Sequence, residues 1–134
     1  MNWTHFGLAI LAAGIVSSIT DWFFFGILFH GNYKINSEVW RRGPGTNETP
    51  AIIGSTLIGF VAAAAFMTAC VVFQVHGYDP ALELAGLIAL MGALPITITN
   101  SFYIKMHSSI VFSHCLGWTA RLVVAALVAG WLLG

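Results

Sequence analysis

Four long apolar runs, over residues 4–29, 50–75, 80–104 and 107–133, leave almost nothing of this chain between them. A hydrocarbon layer about 30 Å thick takes about 20 helical residues to cross, so each run is long enough for one crossing. Water cannot satisfy backbone N–H and C=O groups inside that layer, and a helix satisfies its own. The expected fold is all-α, a polytopic membrane protein of four transmembrane helices in a compact bundle, one domain over 1–134 whose longest connection is the loop 31–49. Composition agrees: 58% of residues are hydrophobic and 7% charged, against roughly 25% charged in a soluble domain.

The first run carries no Lys or Arg ahead of it and continues past signal-peptide length to Phe29, so it reads as a retained helix. Thr49 before Pro50, and Asp79 before Pro80, predict helix starts with a side-chain acceptor at the N-cap and a proline at the first helical position. Tyr33, Trp40, Arg41 and Arg42 in the first loop, together with Trp3 and Trp131 near the termini, suit the headgroup level as interface anchors.

Lys34, Arg41 and Arg42 lie in loop one and Lys105 in loop three, while loop two and both termini carry no Lys or Arg. By the positive-inside rule, loops one and three face the cytoplasm and both termini the opposite side. Net charge is zero and the cations are scattered, so there is no footprint for nucleic acid, and the expected partners are the bilayer and other transmembrane helices. Cys70 and Cys115 fall toward opposite membrane faces, too far apart for a disulfide.

Gly7 to Phe24 aligns with Gly86 to Tyr103, matching Ile19-Thr20-Asp21 with Ile98-Thr99-Asn100. That suggests a parallel two-plus-two repeat, although apolar helices also resemble one another by composition.

Helices in lipid pack through small and polar residues. The stripes expected to face the interior are Gly14, Ser17, Ser18 and Asp21 in span one, and Thr56, Gly59, Ala63, Cys70 and Gln74 in span two. Span three offers Glu83, Gly86, Ala93, Thr97 and Asn100, and span four His107, His114 and Arg121. Ionisable groups within the bilayer are expensive and mark candidate sites. Asp21 and His114 fall at similar depth, which predicts either a protonatable pair at a cavity or a structural pair locking two helices. Thr97 and Asn100 share that half of the membrane, beside the helix break expected at Pro95. Arg121 lies deeper, and Glu83 is its expected ion-pair partner.

The five histidines give little support to a haem or metal site: His5 and His76 lie at one edge, His30 and His107 at the other, and His114 has no histidine opposite it, which leaves as a third and weaker reading a metal held by His30 and His107 with Asp21 or His114. No cofactor is therefore expected. No nucleophile elbow, phosphate loop or paired-Cys motif is present, so the chain is not expected to be an enzyme.

The segment Ala93-Leu94-Pro95-Ile96-Thr97-Ile98-Thr99-Asn100, the closing span from Trp118 to Trp131-Leu132-Leu133, and the outline of Trp22 to Arg42 resemble an uncharacterised family of small bacterial four-helix integral membrane proteins. The resemblance implies four helices in a bacterial inner membrane and implies no activity. Two functions stay open on the sequence. The first is a non-enzymatic helix-packing subunit, as an oligomer or an accessory piece of a larger complex. The second is a small proton-coupled carrier using Asp21 and His114.

Overall fold

Asn2 opens the first helix by accepting from the backbone N–H groups of Thr4 and His5, which satisfies two of the donors every helix start leaves unpaired. The computed structural model describes residues 2–34 and 47–134. Within them it holds α1 (Trp3–Asp21), continued by a π-helical segment (Trp22–Leu28) and a 3-10 turn (His30–Lys34). Then follow α2 (Thr49–Val72), α3 (Tyr78–Ile88), a second π segment (Ala89–Ala93), α4 (Leu94–Tyr103) and α5 (Ser108–Leu132). Four helical stretches are long and apolar enough to cross a membrane: Trp3–Leu28, Thr49–Val72, Tyr78–Tyr103 and Ser108–Leu132. The four predicted runs match them to within a few residues at each end.

Two helix starts differ in detail from expectation. Thr49 is already helical, and its N–H is accepted 3.0 Å away by the Asn47 side chain. The third span begins at Tyr78, after Gly77, whose φ of 83° only glycine adopts without strain. The prolines therefore sit one or two residues deeper in the first turn, where a missing N–H still breaks nothing.

The expected break at Pro95 is a change of winding, not an interruption. Backbone angles stay right-handed helical through Ala93 and Leu94. A proline interior to a helix clashes with the carbonyl four residues back, and the wider turns at Ala89–Ala93 come directly before it. The hydroxyl of Thr97 donates to the Ala93 carbonyl at 2.8 Å.

The fourth span, α5, touches all the others: α1 and α3 most extensively, α2 and α4 less. Its contact face is Gly117, Ala125, Ala126, Ala129 and Gly130, all buried, so backbones approach closely. α3 answers with Ala81, Ala85 and Ala89 at helical spacing. The stripe expected on span three is thereby displaced: Glu83, Gly86 and Asn100 are exposed, and the alanines one face over are buried. Gln74 in span two is also exposed, past the end of α2, with φ of 54°. Spans one and three, alike in sequence, have unlike surroundings. α1 packs on both α2 and α5, whereas the third span rests chiefly on α5.

The largest buried apolar cluster lies in one half of the membrane, while Ile110 and Ser113, in the first turns of α5, are buried in the other. Ala9 and Ala13 near the start of α1, Ala63, Phe66, Met67 and Cys70 toward the end of α2, the three α3 alanines, and Leu122 to Ala129 of α5 form one cluster. Trp3 and Trp131 lie at that end, exposed as anchors should be. Trp40, Arg41, Arg42 and the side chain of Tyr33 lie outside the described residues.

Candidate functional site

In the other half, α1 with its π segment, the first turns of α2, and α5 diverge around a cavity of about 530 Å³. Its walls are apolar and aromatic, with Trp22 and Phe25 from the π segment, Ile52 and Ile58 from α2, and Trp118 from α5. Polar groups converge in it: Asp21, Arg121, His114, Ser18 and Thr56, with His30 and Glu48 at the loop-side end.

Arg121 and Asp21 form an ion pair in which the Arg121 Nη2 donates to Asp21 Oδ2. The pair is largely shielded, the Arg121 and Asp21 side chains being 11% and 19% exposed. Its geometry follows from helix direction. Asp21 lies seven residues before the end of its span and Arg121 thirteen after the start of its own, about 10 Å and 20 Å from the loop-side ends at 1.5 Å per residue. In every helix the Cα–Cβ bond tilts toward the N-terminus. α1 and α5 run in opposite directions, so Asp21 leans deeper and Arg121 leans back toward it, and the two meet between their Cα depths.

The same tilt carries Arg121 away from Glu83, its expected partner. Glu83 is exposed in the second turn of α3, toward the opposite membrane face. Depth along Cα positions alone points to Glu83; the tilt of two antiparallel helices is the signal that finds Asp21.

The guanidinium lies over the Trp118 ring, 4.7 Å from its centroid, a cation–π arrangement. It also approaches the glycine backbone of α2: a Cβ placed at Gly59 would stand 3.6 Å from Nη2. Below the pair, Phe25 packs into the gap left by Gly117, where a Cβ would meet the ring at 2.5 Å. The Phe25 ring also lies 5.2 Å from that of His114, tilted by 34°. The π segment sets these positions. Phe29 donates five residues back to the Phe24 carbonyl at 2.8 Å, and such wide turns recur at functional sites.

Of the expected polar site, the structure brings Asp21 and His114 to one cavity. Thr97, Asn100 and Pro95 are not part of its lining. His107 caps α5, its ring nitrogen accepting from the Ser109 N–H at 3.2 Å. Among the described residues no three His, Cys, Asp or Glu side chains are grouped as a metal site would require. Cys70 and Cys115 are both free thiols. Gly59 belongs to the stripe expected in span two, whereas nothing in the sequence singles out Phe25 or Glu48 for this site; an aromatic three residues before a mid-span arginine is the available clue for Trp118.

Residues 8–130 match the model of the family described as Protein of unknown function (DUF1761). No curated protein and no solved structure matches the chain.

Proposed function

The chain belongs to that family of unknown function, and from this membership and the geometry of the site we propose that it is a non-enzymatic, proton-coupled membrane carrier for a small amphipathic anion. The reading is carried by one observation, the cavity of about 530 Å³ with a buried arginine on its wall. Sites for small organic molecules are concave, of roughly 300–1,000 Å³, mostly apolar, with a few convergent polar groups. An apolar or aromatic body would lie against Trp22, Phe25 and Ile58, and an anionic head would take the Arg121 guanidinium in place of Asp21. Leaving Asp21 unpaired and charged within the hydrocarbon layer costs about 2.5 kcal/mol or more. Asp21 therefore takes up a proton as the anion binds, and His114 in the same cavity is the relay from the loop side. Each cycle moves one proton with one anion, and releasing both restores the ion pair.

With loops one and three in the cytoplasm, as the Lys and Arg distribution gives, the cavity faces the cytoplasm and both termini face outward across a bacterial inner membrane. Reconstituted into liposomes with an interior pH dye, the protein should couple uptake of benzenesulfonate, a membrane-impermeant aromatic anion, to acidification. Ala51→Trp, which fills the cavity from α2, should abolish both. Asp21→Asn should uncouple proton movement from binding. Uptake by Ala51→Trp equal to wild type, or uptake without acidification by the wild type, overturns the reading.

A second reading, a helix-packing subunit, is favoured by the third span. Glu83, Gly86, Leu87 and Leu90 form an exposed stripe at helical spacing on the side of α3 away from α5. A second transmembrane helix would cover it. Wild-type protein that moves no anion but copurifies with a fixed partner from native membranes, and loses it on Gly86→Leu, would replace the carrier by the subunit.

A further inference from the structure

Behind the ion pair, on the side of Arg121 toward the packed half, lies a second and much smaller cavity of about 10 Å³, lined by Ser17, Ala62, Ala63, Phe66, Arg121, Leu122 and Ala125. Two buried polar atoms lack a hydrogen-bond partner among the described residues, Ser17 Oγ and Arg121 Nε, and both belong to residues lining this cavity. Ser17 is 1% exposed and Arg121 9%.

Ser17 is, among the described residues, the buried hydroxyl without a partner. The hydroxyls of Ser18, Thr20, Thr68, Thr97, Ser113 and Thr119 each donate to a carbonyl three or four residues back in their own helix. That is the ordinary way a helical hydroxyl is satisfied in an apolar setting. The Ser17 hydroxyl makes no such bond.

Arg121 presents five N–H donors in a fixed fork. Nη2 is taken by Asp21 and the guanidinium face by Trp118. Nε, the nitrogen nearest its own helix, is buried and has no hydrogen-bond partner among the described residues. An unpaired donor and an unpaired hydroxyl are each costly in a low-dielectric interior, and here they border one small space. A buried water needs about 10–15 Å³ and two or more polar partners.

We propose that this cavity is a binding site for one ordered water molecule, which accepts from Arg121 Nε–H and donates to Ser17 Oγ. Arg121 is then a partition one side chain thick. On one side its Nη groups face the wide cavity, and on the other its Nε is held by a water that cannot exchange freely. The water fixes the guanidinium plane over Trp118 and completes the hydrogen bonding of a cation near the middle of the span. This site stands independently of the carrier reading: a structural ion pair needs the same water.

The test is magnetisation transfer from water to Arg121 Nε–H in arginine-15N-labelled protein in lipid nanodiscs, the resonance being assigned by its loss in Arg121→Lys. The expected result is a water cross-peak with the sign of a long-lived bound water. It should be lost in Ser17→Val, which removes the hydroxyl and fills the cavity from α1, and in Ala62→Val, which fills it from α2. Transfer relayed through the Nη protons would survive both filled variants, so persistence of the peak in them overturns the proposal. Absence of the peak from the wild type, or a cross-peak to the Ser17 hydroxyl in its place, also overturns it. If Ser17→Val does not fold, Ala62→Val decides, because it touches neither hydrogen-bonding partner.

Discussion

The two halves of this molecule are built on different terms. Toward the termini, alanine and glycine let four spans close on one another around Met67, Phe66 and Cys70. Toward the loop 31–49, three of the same spans diverge around a cavity edged by tryptophan and phenylalanine. The first half is held by dispersion over a dense contact surface, the main attraction left to helices in lipid. The second has less of that surface and is tied, among the described residues, by the Asp21–Arg121 ion pair at its deepest point. Where packing is sparse, polar contacts set the helix separation, and solute-sized space becomes available.

The largest expected effect comes from cutting the tie. Arg121→Leu leaves the Asp21 carboxylate buried without its cation, and breaking a buried pair by removing one partner costs about 3–5 kcal/mol. Adding Asp21→Asn to Arg121→Leu should recover a substantial part of that, since the loss is mostly the stranded charge. Unfolding in dodecylmaltoside micelles, followed by helical circular dichroism, measures both. A loss under about 1 kcal/mol for Arg121→Leu would mean that packing, not the ion pair, holds the open half.

The next effect compares truncations across the two halves. Met67 is fully buried in the packed half, while Ile58, at the edge of the cavity, is 58% exposed. Met67→Ala should cost about 2–5 kcal/mol, with the spread set by how far the site collapses. Ile58→Ala should stay within about 0.5 kcal/mol, the ordinary range for exposed positions. Equal costs would break the contrast, because they would mean the open half is packed as tightly as the other.

Much of this is readable from the sequence, and the departures have separate physical causes. Span positions follow from hydropathy, since the bilayer fixes both length and polarity. Gly14, Ser17, Gly59, Ala63 and Cys70 were placed on interior faces and are buried, because small residues are required wherever backbones approach. Span three went wrong where polarity and smallness disagree: Glu83 and Asn100 face outward while Ala81, Ala85 and Ala89 carry the contact. A polar residue near a helix end can be satisfied by headgroups or water, so it does not demand the interior, whereas close packing does demand a small side chain. The partner of Arg121 differs from expectation for another reason. Depth along Cα positions points from Arg121 to Glu83, and the observed Asp21–Arg121 contact depends on side-chain tilt between antiparallel helices. The π segments also shift register by amounts that no residue pattern here announces.

The smallest effect sharpens how the tie is held in place. The Trp118 ring lies 4.7 Å from the Arg121 guanidinium, and a partly desolvated cation–π contact contributes about 0.5–2 kcal/mol. Trp118→Leu keeps the volume apolar while removing the π face, and should lower stability by about that amount. Its more informative consequence is in the coupling between Arg121 and Asp21. With the ring gone, the guanidinium can rotate off the carboxylate, so the interaction energy from an Arg121–Asp21 double-mutant cycle should fall in the Trp118→Leu background. Trp118→Phe, which keeps a smaller ring, should fall between. If the cycle energy is unchanged without Trp118, the aromatic wall belongs to the solute cavity alone, and the open half is held by charge without help from its rings.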